Sequence, residues 1–201
     1  MNGYSILSLK DMIDELGESE VKSKLSSFSS PLNKDVEYFI RHKAIEFAKQ
    51  SIAPTSLVYA SYKDEWVLCG YFTITLKAFT VKKEVGYNTF KRLKKFGTYN
   101  DELKSCHIPA PLIAQLSKNF YNGYDKLITG RELLELACDE IRKIQAIGGG
   151  KIVYLECEDK PKLKQFYYSN GFREFAKRQL DRDEGDMLSG QYLIQMLKYL
   201  D

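Results

Sequence analysis

Residues 111–145 limit what this chain can fold into more than any other part of it. The stretch opens on a compact apolar run, Leu112, Ile113, Ala114, Gln115 and Leu116, which reads as a strand. A polar loop carrying Gly123 follows. Then come Thr129, Gly130, Arg131 and Glu132, and a helix-period series of Leu133, Leu134, Ala137, Ile141 and Ile144. Thr129 with Glu132 three residues on is a capping-box pair, so the helix start is placed by chemistry as well as by periodicity. A helix N-terminus presents unpaired N–H groups and the positive end of a dipole, an arrangement that suits a phosphate.

Two common phosphate loops are excluded. A P-loop needs GxxxxGK[ST], but Gly123 and Gly130 are too far apart and Arg131 stands where lysine would. A dinucleotide fingerprint needs GxGxxG directly after the strand, and this is absent. Two readings stay open: a longer loop whose backbone wraps a diphosphate, or an ordinary strand-to-helix connection with a capped helix.

The flanking sequence supplies the remaining elements. Residues 3–9 read as a first strand and 10–16 as a short helix stopped by Gly17. The serine-rich 26–30 reads as a loop. After Pro31, the residues Leu32, Val36, Phe39, Ile40, Ala44, Phe47 and Ala48 share one helix face. Residues 55–62 and 66–79 form a hairpin about a turn at Lys63, Asp64 and Glu65. In 81–107, the spacing of Phe90, Leu93 and Phe96 predicts a helix over 88–96 capped by Asn88. Gly148, Gly149 and Gly150 end the helix after Thr129. Residues 151–157 predict a strand parallel to the 112–116 strand. Pro161 opens another helix, stopped at Asn170 and Gly171. Residues 172–180 and 191–200 form a closing hairpin around a charged loop at 181–190. This order predicts an α/β or α+β fold with a mixed sheet.

Composition narrows the class. The chain has 201 residues, enough for one sizeable core, and a single domain is expected over 1–201. A net charge of +3 does not by itself argue for nucleic-acid binding. No apolar run reaches the ~20 residues of a membrane span, and no signal-peptide pattern is present, so a cytoplasmic protein is expected. Cys69, Cys106, Cys138 and Cys157 show no metal-ligand or CxxC spacing and read as reduced core thiols. The basic run Lys82, Lys83, Lys91, Arg92, Lys94 and Lys95 reads either as the solvated face of a helix or as a rim for RNA.

Residues 112–137 and 151–172 together resemble the GNAT superfamily of acetyl-CoA-dependent N-acetyltransferases. The 112–116 run looks like the family's central strand. Gly130 before Leu133 and Leu134 looks like the end of its pyrophosphate loop. Phe166-Tyr167-Tyr168-Ser169-Asn170-Gly171-Phe172 matches its F-Y-x-x-x-G-F segment. The departures are a long loop over 118–128, Lys160 where an asparagine is common, and a segment at about 81–107 that looks like an insertion. The serine-rich segment and the helix after Pro31 are similar to those of the GNAT subset that acts as toxins on charged tRNA.

The resemblance implies a mixed, mostly antiparallel twisted sheet with helices on both faces and a central parallel strand pair splayed at the cofactor site. It implies acetyl-CoA as cofactor, CoA as product, and a primary amine as acceptor. The pantetheine arm would pair with backbone groups of Gln115, Leu116 and Lys118. The diphosphate would rest on amides at Thr129, Gly130, Arg131 and Glu132, with the Arg131 side chain adding charge. Tyr167 would protonate the leaving thiolate, and a backbone N–H near Leu116 would polarise the carbonyl. Glu156 is the first candidate for a general base, and Glu158 the second. Two alternatives are kept: a toxin-like acetyltransferase of aminoacyl-tRNA, and a CoA-binding regulatory module without turnover. A homodimer is also left open. His42 and His107 receive no role.

Overall fold

The computed structural model describes residues 3–180 and 191–200; the loop expected at 181–190 lies outside the described residues. The chain divides into two compact units. One comprises Met1–Thr75 with Ile113–Asp139, the other Leu76–Leu112 with Glu140–Asp201. The strands are β1 (Tyr4–Ser8), β2 (Thr55–Tyr62), β3 (Glu65–Lys82), β4 (Thr98–Asn100), β5 (Ser105–Lys118), β6 (Ile152–Glu158), β7 (Arg173–Gln179) and β8 (Tyr192–Tyr199). Their order is β1-β2-β3-β5-β6-β8-β7, with β4 against β5. The β1–β2, β2–β3, β4–β5, β6–β8 and β7–β8 pairs are antiparallel. The expected mostly antiparallel sheet with helices is the one observed.

In the first unit, α1 (Leu9–Leu16) starts at Ser8, whose hydroxyl accepts from the Asp11 N–H, and stops at Gly17. The helix α2 (Glu18–Ser26) has no counterpart in the sequence reading; its charged sequence buries only Val21 and Leu25 and so carries little periodic signal. The helix expected after Pro31 is broken into three parts. α3 (Lys34–Tyr38) is capped by Asn33, a π-helical turn follows over Phe39–Lys43, and α4 (Ala44–Lys49) completes it. Leu32 lies before α3 and is 75% exposed, so it leaves the predicted face. The remaining face holds: Val36, Phe39, Ile40, Ala44 and Ala48 are buried with Leu9, Leu25, Phe28 and Leu57. Tyr71 sits fully inside this core, and its hydroxyl donates to the Val36 carbonyl at 2.6 Å. That bond lets a large ring be buried without an unsatisfied polar tip. The β2–β3 hairpin turns at Lys63 and Asp64, both at positive φ, as two-residue hairpin turns require.

In the second unit, Phe79, Phe90, Leu93, Ile108, Tyr154 and Leu197 form the core. Asn88 is not a cap. The N-cap of α5 (Tyr87–Leu93) is Gly86, two residues earlier, where φ is +93°, and the Phe90 N–H donates to the Gly86 carbonyl at 2.9 Å. The central strand is also longer than expected. β5 begins at Ser105, so His107 lies within it, opposite Thr98 of β4. Pro109 and Pro111 hide this half from sequence patterning, because proline demotes a run as a strand. α7 (Pro161–Ser169) has proline at its first turn and ends at Gly171, φ +86°.

Candidate functional site

In the first unit the expected cofactor residues are gathered along β5, the following loop and the start of α6 (Gly130–Gly148). Asn119 anchors the loop, a role not visible in sequence. Its side chain accepts from the Ser29 and Tyr121 N–H groups at 3.0 Å each and donates to the Leu68 carbonyl at 2.9 Å. Its own N–H donates to the Cys69 carbonyl at 2.8 Å. Asn119 is buried, and every hydrogen bond it makes fixes the exit from β5. Lys118 turns onto the same loop, donating to the Asp125 carbonyl at 2.9 Å. Asn122 and Gly123 take positive φ and allow the chain to double back.

The capping box at the start of α6 is formed. The Thr129 N–H donates to Glu132 Oε2 at 2.8 Å, and the Glu132 N–H donates to Thr129 Oγ1 at 3.1 Å. The hydrogen bonds from the Thr129 side chain and backbone hold the Glu132 carboxyl below its ordinary value. The cap bears on the expected diphosphate contacts. The N–H groups of Thr129 and Glu132 are already engaged, so they are not free for a ligand. Those of Gly130 and Arg131 lie in the first turn and have no intrahelical acceptor. The Arg131 side chain is exposed. Tyr4 of β1 closes one flank, donating to the Leu127 carbonyl at 3.2 Å.

Gln115, expected as a backbone contact, has a notable side chain. Its Nε2 donates to Asp35 Oδ2 at 3.2 Å, while its Oε1 is buried with no hydrogen-bond partner. Leu116 is half-buried, and Ser117 bonds Ser30 through their hydroxyls at 3.1 Å.

In the second unit, Tyr167 of α7 is 9% exposed. Its ring packs edge-on to Phe166 and Phe172, with centroids 5.1 and 5.8 Å away. Burial raises its phenol above the ordinary value, so it stays protonated throughout the neutral range. Tyr168, its neighbour, faces outward and donates to Glu174 at 3.1 Å. Burial also pushes the Cys157 thiol up to about 12, which leaves it inert. All four cysteines are buried, and no disulfide joins them.

Glu156, the first candidate for a base, has both carboxylate oxygens engaged. Its Oε2 accepts from Arg178 Nε at 2.9 Å and its Oε1 from Gln195 Nε2 at 2.8 Å. The carboxylate therefore ties β6 to β8 and β7. Sequence could not show these partners, which come from distant strands. Glu158 is buried and pairs with Lys160 at 2.7 Å.

All six cations of the basic run are exposed. Arg92 and Lys94, exposed like Lys82, Lys83, Lys91 and Lys95, also lie over the Tyr199 and Tyr99 rings, at 4.5 and 3.9 Å. Among the described residues no helix is long and apolar enough to cross a membrane.

The fold has relatives among solved structures. AtaTR bound with AcCoA is 15% identical, with a TM-score of 0.57 over 96% of this chain and 93% of that one. AtaT complexed with acetyl-methionyl-tRNAfMet is 14% identical, with a TM-score of 0.60 over 95% and 93%. A tyrosine-to-phenylalanine mutant of KacT is 11% identical, with a TM-score of 0.59 over 96% and 94%. The chain has the GNAT fold. By sequence no family model matches it, and no curated protein does. The likeness spans nearly the whole chain.

Proposed function

We propose that the protein is an acetyl-CoA-dependent N-acetyltransferase. The observation that carries this reading is the GNAT fold, shared over most of the chain with structures that contain acetyl-CoA. The start of α6 fits a diphosphate: Gly130 and Arg131 offer two adjacent N–H groups at a positive dipole end, and the Arg131 guanidinium adds charge. The backbone of Gln115, Leu116 and Lys118 is assigned to the pantetheine arm, and the Leu116 N–H to the thioester oxygen.

The reaction is a direct transfer. The amine nitrogen bonds to the thioester carbon, the C–S bond breaks, and the nitrogen gives up a proton. Tyr167 donates its phenolic proton to the departing sulfur and is reprotonated from solvent. A phenol held protonated by burial suits that role. No base is assigned to Glu156, because both its oxygens are engaged. An α-amino group, with a reference pKa near ~8, has a useful neutral fraction at physiological pH.

Calorimetry with acetyl-CoA and CoA tests the reading, and absence of binding at millimolar ligand defeats it. Binding with no transfer to any amine in a broad screen would instead support a CoA-binding regulatory module.

A second reading refines the acceptor to the α-amino group of an aminoacyl-tRNA. It is favoured by the exposed Lys82, Lys83, Lys91 and Lys95 and by the tRNA complex of the similar AtaT. Transfer of labelled acetyl to charged but not uncharged tRNA supports it; transfer only to small amines or proteins counts against it.

A further inference from the structure

Two carboxylates stand two residues apart in α3 and are treated in opposite ways. Glu37 is saturated: it accepts from the Ser30 N–H at 2.7 Å and pairs with Arg41 at 3.3 Å and Lys34 at 3.4 Å. Asp35 is half-buried and has no cationic partner among the described residues. Its side-chain neighbour is the neutral amide of Gln115, which donates one N–H to Oδ2. That contact leaves the Gln115 oxygen buried and unpaired, a cost of the kind folded proteins normally avoid. Exchanging the amide's nitrogen and oxygen does not remove the cost: it sets oxygen against carboxylate and buries an unpaired NH₂ instead. The position of Asp35 in the first turn of α3 suits the helix dipole, which explains a negative charge there but not the orphaned amide beside it. Local rules broken without compensation mark functional positions.

We infer that Asp35, held in place by Gln115, is the carboxylate that binds the acceptor amine in its ammonium form. This rests on the acetyltransferase reading, in which Leu116, next to Gln115, receives the thioester oxygen. A half-buried carboxylate lacking a protein cation has room for one from a ligand, and the ammonium of a primary amine has the matching charge and hydrogen-bond donors. Gln115 is a positioning residue. By engaging Oδ2 it leaves Oδ1 for the ligand. The acceptor class is therefore a cationic primary amine; neutral nucleophiles gain nothing from Asp35. Asp35 binds the acceptor and does not activate it: the bound ammonium gives up one proton to water before its nitrogen attacks the thioester carbon.

The test uses the full chain and two acceptors at about pH 7: methionine amide, mostly a cation there, and hydroxylamine, mostly uncharged. Asp35→Asn is expected to raise KM for methionine amide by about 10- to 100-fold, with a smaller change in kcat. KM for hydroxylamine and the Kd for acetyl-CoA should stay within about twofold of wild type, and Asp35→Glu should restore part of the loss. Equal KM changes for both acceptors, or none, overturn the inference, because a structural role does not distinguish charge. Wild-type protein that binds acetyl-CoA yet fails to acetylate methionine amide overturns it too. Failure to bind acetyl-CoA removes the underlying reading, a separate result seen before any acceptor is added.

Discussion

Thr129 and Glu132 exchange hydrogen bonds in both directions, each backbone N–H donating to the other's side chain, at 2.8 and 3.1 Å. The exchange fixes where α6 begins and decides which first-turn N–H groups remain for a ligand. Thr129→Ala removes the cap and should destabilise the protein by about 1 kcal/mol. Urea denaturation measures this. The acetyl-CoA Kd should weaken only a few-fold, because the Gly130 and Arg131 amides are kept.

Arg131→Ala should leave stability within about 0.5 kcal/mol of wild type, since the side chain is exposed. On the proposed function it should weaken acetyl-CoA binding by about tenfold at low salt and less at high salt. Calorimetry at two ionic strengths separates this from a fold defect.

Much of this region was legible in sequence because it is local. The cap, the glycine stops at Gly149 and Gly171, and the Lys63–Asp64 turn are patterns within a few residues, and each is present. What stayed hidden depends on contacts between distant segments. Asn119 looks like any loop asparagine until the Ser29 N–H and the Leu68 carbonyl are seen beside it. Glu156 looks like an open base until Arg178 and Gln195 arrive from other strands. The π-helical turn at Phe39–Lys43 adds one residue and rotates the face that follows, so Ile45 is buried beside Ala44 and Ala48 although it lies off the predicted face.

Tyr167→Phe should slow acetyl transfer by about 10²-fold or more and leave acetyl-CoA affinity nearly intact. No described residue hydrogen-bonds the Tyr167 hydroxyl, so stability should change little. The pH profile carries a further sign. Tyr167 acts in its protonated form, and burial raises its pKa. Wild-type kcat should therefore rise with pH as the amine deprotonates, with no falling limb below about pH 10. A fall between pH 7 and 9 would remove Tyr167 as the acid.

Glu37 links stability to pH. Burial alone pushes its carboxyl up, but the Ser30 N–H, Arg41 and Lys34 outweigh this and bring it below the ordinary value. A lowered folded-state pKa adds stability that is fully present above the unfolded value, near ~4.3, and is lost as pH falls through the folded one. Glu37→Gln should cost about 1–3 kcal/mol at pH 7, and the difference from wild type should close toward pH 3. Urea melts at pH 7, 5 and 3 show whether the two curves converge.

Gln115→Met separates stability from function. The wild-type amide buries an unpaired oxygen, a cost of about 1–3 kcal/mol, and recovers part of it through one bond to Asp35. Methionine matches its length and brings no orphaned acceptor. The variant should therefore be more stable, by about 1 kcal/mol in urea melts. If Gln115 holds Asp35 for a cationic acceptor, the same variant should raise KM for methionine amide several-fold. A gain in stability with no such rise would mean that the orphaned oxygen is a packing fault with no bearing on the acceptor. A loss of stability would show that the Asp35 bond outweighs the buried oxygen. In that case the carboxylate, rather than the amide, is the group to pursue.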